Sequence, residues 1–127
     1  MIVLLDTHTL RWWLDGSDRL SLSARREIVN PSNSKVVSVV VPWELAIKTT
    51  LGRFDSQVLL EHWDEILDGQ GFSELPISSA HAIRAGLLPR HHNDPFDRML
   101  AAQAQATDWP IISADRVFDF YGVRRVW

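Results

Sequence analysis

Three short apolar runs constrain this chain more than any other feature. Ile2-Val3-Leu4-Leu5 opens it, Val36-Val37-Ser38-Val39-Val40-Val41 follows in its first third, and Pro110-Ile111-Ile112-Ser113 lies near its end. Apolar runs of strand length, without polar alternation, belong to strands covered on both faces, as in parallel sheets. Parallel strands need crossover connections, and the segments between these runs have helical period to supply them.

Asp6 and Thr7 can cap a helix over residues 9–14 that Gly16 stops. A second helix starts near Ser21 or Ser23 and ends at Asn30-Pro31. The 36–41 run leads straight into a helix with Pro42 in its first turn, reaching Gly52. Asp55 and Ser56 can cap one helix over 58–67, which Gly69 and Gly71 end. A short strand over 72–75, a helix over 78–85, a helix from Asp94 to about Ala106, and a terminal strand over 123–127 complete the pattern. This alternation predicts an α/β fold with a central, mainly parallel sheet. At 127 residues, without repeats or linker-like tracts, it predicts a single domain spanning 1–127.

Composition removes several chemistries. There is no cysteine, hence no disulfide framework, thiolate metal site or cysteine nucleophile. The longest apolar stretch, 36–45, is interrupted by Ser38, Pro42 and Glu44 and falls well short of the ~20 residues that span a bilayer. The N-terminus has no basic region or cleavage pattern, so a cytoplasmic protein with no membrane partner is expected. A formal net charge of −3 counts against a module that grips nucleic acid by charge alone. It counts less against an enzyme whose acids surround a cation. Of the 13 basic residues only Lys35 and Lys48 are lysine, and arginine suits bidentate phosphate recognition.

Ligands of open α/β sheets bind beyond the carboxyl ends of the strands. Asp6 directly follows the first run, and Asp115 lies just beyond Ile111-Ile112. Glu44 is early in the helix after the second run, and Asp97 is in the first turn of its own helix. Each has a plain alternative. Asp6, Asp94 and Asp115 can cap helices, and Asp97 can favour the helix dipole. Glu44 stands in an apolar stretch, where an acid is rarely buried without a partner. Carboxylates gathered at ~4 Å repel by about 4 kcal/mol per pair at an effective dielectric near 20. Such a cluster must take up protons or a cation. Oxygen-only donors select Mg²⁺ or Mn²⁺, whose chemistry is that of phosphodiester hydrolysis.

Asp6-Thr7-His8, Trp43-Glu44-Leu45-Ala46-Ile47-Lys48, the block from His92-Asn93-Asp94-Pro95-Phe96-Asp97-Arg98 through Ala104, and Ser113-Ala114-Asp115-Arg116 occur in this order. Together they resemble the PIN-domain ribonucleases of the VapC-like toxin group, over essentially the whole chain. The Asp-Pro-Phe-Asp-Arg block followed by Ser-Ala-Asp is the specific part. The resemblance implies a three-layer α/β/α domain and Mg²⁺- or Mn²⁺-dependent cleavage of RNA. It also implies neutralisation by a cognate antitoxin and a homodimer. It places the acidic quartet, catalytic and metal-binding, on Asp6, Glu44, Asp97 and Asp115. Substrate contacts are expected from Thr7, His8, Ser113, Arg98 and Arg116, with Asp94 a cap. One of Arg98 and Arg116 is expected to pair with a carboxylate.

Several residues stay open. His8 stands where relatives often have a small polar residue, and can meet phosphate or backbone. Lys48 can steady Glu44, meet a phosphate or form a surface pair one turn on. Arg90-His91-His92 can steer RNA or be a solvated loop. The helices over 10–29, with Trp43 and Ile47, can form a groove for a partner helix. An aspartyl phosphatase would need a second Asp where His8 stands, and a phosphoacceptor receiver would need an N-terminal acidic pair. The competing reading is a catalytically silent PIN-like module that binds RNA or protein.

Overall fold

The computed structural model describes residues 1–127. Five strands form one sheet: β1 (Ile2–Leu5), β2 (Ser34–Ser38), β3 (Ser73–Leu75), β4 (Ile111–Ile112) and β5 (Arg125–Val126). Their order is β3-β2-β1-β4-β5, and every neighbouring pair is parallel. β1 is central, and Val3, Leu4 and Leu5 are fully buried, as its apolar run requires. Leu5 is in register with Val37 on one side and Ile112 on the other. The residues that follow these three strands therefore emerge at one edge of the sheet.

Helices flank the sheet. They are α1 (Thr7–Asp15), α2 (Leu22–Val29), α3 (Val40–Thr50), α4 (Gln57–Glu61), α5 (Trp63–Gln70), α6 (Ser79–Leu87) and α7 (Pro95–Thr107), with a 3-10 helix at Arg116–Tyr121. No helix is long and apolar enough to cross a membrane. The caps are those the local sequence favours. Asp6, Ser21, Ser78 and Asp94 each accept a backbone N–H at the start of their helix, and Gly16 closes α1 at φ +64°.

Two expected elements differ. The 36–41 run does not stay extended: β2 stops at Ser38 and α3 begins at Val40. Pro42, lacking an N–H, is tolerated in a first helical turn, where that donor has no helical partner. Val40 and Val41 are still buried, so their apolar character serves a helix instead of a strand. The single helix over 58–67 is two, α4 and α5, separated at His62. Helical period persists across the break because Leu59, Leu60, Trp63 and Leu67 all pack against the core.

The C-terminal end of α6 depends on a buried cation. Arg98, on α7, donates to the carbonyls of Ala85 (3.0 Å), Leu88 (2.9 Å) and Pro89 (3.0 Å), with longer bonds to Gly86 and His92. Those carbonyls have no helical partner, and a positive charge there suits the helix dipole. Replacing Arg98 by Met leaves them unpaired in a buried setting. Urea unfolding of Arg98→Met is expected to show a loss of about 2–4 kcal/mol. A loss below ~0.5 kcal/mol would contradict this role.

Candidate active site

Asp6 sits where β1 ends and α1 begins, and it is buried. Its backbone N–H donates to the Ile112 carbonyl of β4 (3.3 Å). One carboxylate oxygen accepts the Thr9 N–H (2.9 Å), and the other accepts the Ser113 hydroxyl (2.5 Å). Thr9 adds a bond from its hydroxyl to the Ile112 carbonyl (2.7 Å). Burial pushes the Asp6 carboxyl above its ordinary range, while the bonds from Ser113 and Thr9 pull it back down.

Glu44 is also buried, one turn into α3. The Thr7 hydroxyl donates to one of its oxygens (2.5 Å), and the Lys48 ammonium pairs with the other. Both side chains of that ion pair are largely withdrawn from solvent, with 19% and 5% exposed for Lys48 and Glu44. It is therefore more than a surface pair one helical turn apart: Lys48 offsets a buried charge that would otherwise be costly.

Asp97 stands in the first turn of α7. Asp94 is the cap, as expected, accepting from the N–H groups of Phe96 (2.9 Å) and Asp97 (3.2 Å). Burial and then the charges of Asp94, Asp115, Asp6 and Glu44 push the Asp97 carboxyl up to about 8. The nearest basic group is His92, whose Nε2 is 3.9 Å from Asp97 Oδ2. Asp115 is exposed and caps the 3-10 helix by accepting the Val117 N–H (2.9 Å). Its own N–H donates to Ser113 Oγ (3.0 Å), so one hydroxyl ties Asp115 to Asp6.

The four expected acids thus occupy one edge of the sheet, close enough for each of the others to raise Asp97. In this arrangement no three His, Asp or Glu side chains converge on a single ion position. The donor set nonetheless fits a hard divalent cation: it is all oxygen, and the charges of its neighbours add to burial in raising the Asp97 carboxyl to about 8. A cation among the acids would offset their mutual repulsion.

Three expected substrate contacts are corrected. Thr7 and Ser113 are buried, and their hydroxyls are spent on Glu44 and Asp6. Arg98 is buried against the α6 carbonyls and pairs with no carboxylate. The basic residue that pairs with a site acid is Lys48, not Arg98 or Arg116. His8 and Arg116 are exposed beside Asp6 and Asp115. His8 packs on Trp12 and Phe54 at ring distances of 5.4 and 5.9 Å. Trp43 does not join α1 and α2 in a groove; it lines a surface hollow with Gly86, Asn93 and Met99. Sequence reasoning missed Tyr121, whose hydroxyl is 2.8 Å from His92 Nδ1. No local signal marks it, because the two residues meet only through the turn of the 3-10 helix.

The family model described as PIN domain matches residues 3–123. The chain is 29% identical over 115 residues to Ribonuclease VapC22 of Mycobacterium tuberculosis, covering 90% of this chain and 87% of that protein. Among solved structures it resembles VapBC2 from Rickettsia felis bound to a DNA fragment from its promoter, with TM-score 0.70 and 16% identity over 98% of this chain and 97% of that one. It also resembles VapBC-1 from nontypeable Haemophilus influenzae, with TM-score 0.66 and 15% identity over 98% and 96% of the two chains. At those identities the structural likeness speaks for the fold.

Asp97 gives the metal-free protein a defined pH dependence. Its folded carboxyl holds a proton up to about pH 8, whereas in the unfolded chain it loses it near 3.8. The folded state binds more protons between those values, so stability falls as pH rises through that window. Asp97→Asn cannot ionise and is expected to flatten the slope. In EDTA at pH 8 it should melt above the parent by roughly 3–10 °C, on the order of 2 kcal/mol, and match it near pH 4. A variant that melts at or below the parent at pH 8 would refute this electrostatic account.

Proposed function

The chain belongs to the PIN domain family, and from that premise we propose that it is a metal-dependent endoribonuclease, the toxin of a toxin–antitoxin pair. The observation that carries the reading is Asp97: a carboxyl raised to about 8 by burial and by Asp94, Asp115, Asp6 and Glu44, at the strand-end edge of a parallel sheet. The likeness to a ribonuclease of the VapC type supports RNA as the substrate, and the likeness to VapBC proteins supports a protein partner.

Asp6, Asp97 and Asp115 would hold Mg²⁺ or Mn²⁺, which supplies charge stabilisation at the phosphate and a water of lowered pKa. Asp6 is the fixed member, because hydrogen bonds from two elements set its carboxylate plane. Glu44, positioned by Thr7 and Lys48, is placed to accept a proton from the attacking water or to complete a second cation position. His8 and Arg116, exposed on either side, would contact the RNA backbone. Attack of water on phosphorus with the 3′ oxygen leaving would give 5′-phosphate and 3′-hydroxyl ends and needs no ribose 2′-hydroxyl. Asp115 is the exposed member of the four, at the outer side of the site.

The antitoxin is proposed to lay an apolar helix in the cleft between α1 and the α4–α5 pair. That cleft has a volume of about 430 Å³, with Leu14, Val58, Leu59 and Ile66 on its walls and Arg11, Asp15 and Asp55 on its rim. A homodimer would cover a separate apolar surface, where Trp43 is 53% exposed and Ile83 and Leu87 of α6 also face solvent.

The test is cleavage of cellular RNA by partner-free protein in Mg²⁺, Mn²⁺ or EDTA, with fragment ends mapped. Fragments with 5′-phosphates are expected in metal and none in EDTA. Asp6→Asn keeps a residue that caps α1 equally well but should cut on the order of 100-fold less or worse. A folded protein that binds the cation and leaves every RNA intact would overturn the nuclease and favour the silent binding module.

A further inference from the structure

His92 is held by two residues, Tyr121 and Arg98. Its Nδ1 is 2.8 Å from the Tyr121 hydroxyl, its backbone carbonyl accepts from Arg98, and its ring packs on the Tyr121 ring at 5.6 Å. Tyr121 is itself fixed: it is buried, its carbonyl accepts the Gln105 side chain at 2.9 Å, and His91 packs edge-on against its ring at 5.2 Å. The other ring nitrogen, Nε2, is buried with no hydrogen-bond partner. A buried, unpaired nitrogen needs an explanation, because nearly all such groups are satisfied. The acid it faces is Asp97, whose Oδ2 is 3.9 Å away, and a shift of roughly 1 Å would make that a hydrogen bond.

We propose that the His92–Tyr121 pair positions the Asp97 carboxylate for cation binding. The Tyr121 hydroxyl donates to Nδ1, which leaves the neutral ring's proton on Nε2. Nε2, 3.9 Å from Oδ2, is then the donor that would hold the Asp97 carboxylate in place when that acid serves as a cation ligand. Ligating carboxylates are commonly held by such partners, whose loss weakens binding without removing a ligand. Asp97 needs one more than its neighbours do. Asp6 is oriented by Ser113 and Thr9, Glu44 by Thr7 and Lys48, and Asp115 by Val117, whereas His92 is the polar side chain that faces the Asp97 carboxylate. His92 is therefore a positioning residue. The inference rests on the reading of the acids as a cation site.

The test is Mn²⁺ binding without RNA, read from the free-ion electron paramagnetic resonance signal at pH 7.5. The proteins are the parent, Asp97→Asn, His92→Ala, His92→Gln and Tyr121→Phe, each checked for folding by its metal-free melting curve. His92→Ala is expected to bind roughly 10-fold or more weakly than the parent. Tyr121→Phe, which removes one oxygen and keeps the packing, should lose affinity in the same direction. His92→Gln, whose amide N–H can replace Nε2–H, should recover most of it. A purely structural role predicts no such recovery, and weakening by Ala and Gln alike would overturn the proposal. Parent-like affinity in Tyr121→Phe and His92→Ala would overturn it too. If His92→Ala does not fold, Tyr121→Phe and His92→Gln decide between the same outcomes. If the parent binds no Mn²⁺, or binds it as well with Asp97→Asn, the cation site itself fails and this inference falls with it. Failure of the positioning role alone requires a parent that binds and an Asp97→Asn that does not.

Discussion

A carboxylate buried at the end of the central strand imposes its needs on everything near it. Asp6 cannot leave the edge of the sheet, because Leu5 before it is locked between β2 and β4. An isolated buried carboxylate is costly unless it is hydrogen-bonded. Two groups answer that need, and they come from different parts of the chain: the N–H of Thr9 in α1 and the hydroxyl of Ser113 after β4. The same contacts set the entry angle of α1, dock β4 against β1 through Thr9, and bring Asp115 to the site through Ser113. Asp6 is thus the joint that assembles the edge.

The basic residues near the acids divide the work unevenly, and the electrostatics follow from that division. Lys48 goes to Glu44. Arg98, next to Asp97 in sequence, turns away to the carbonyls at the end of α6. Asp97 is left buried, with four acidic neighbours and no full positive charge, so burial first and then the charge of the cluster raise its carboxyl. Without an ionic partner, that carboxyl costs stability wherever it ionises.

Much of this was readable along the chain. The apolar runs predicted the parallel sheet, and the caps at Asp6, Ser21, Ser78 and Asp94 follow from residue types that accept N–H bonds. The four acids were found because each follows a strand or opens a helix at the same edge. Misreadings have local causes. Val39 to Val41 have strand propensity, but burial satisfies them equally in a helix, and Pro42 is compatible with its first turn. The break at His62 leaves the apolar period intact and so leaves no mark. Thr7 and Arg98 look like substrate contacts because they adjoin acids in sequence, and Ser113 because the resemblance implies a small polar contact there. Adjacent residues on a helix or strand point in different directions, and these three point inward.

The sequence by itself determined the fold class, the helix starts and the set of acids, since these depend on residue type and on periods that neighbouring residues share. Tertiary structure decided which hydroxyl serves which carboxylate and which cation is spent on structure. Ser113 meets Asp6 across 107 residues, and His92 meets Tyr121 across 29. Such pairings depend on strand order and on the direction of each side chain in space, and neither is encoded in the spacing of residues along the chain.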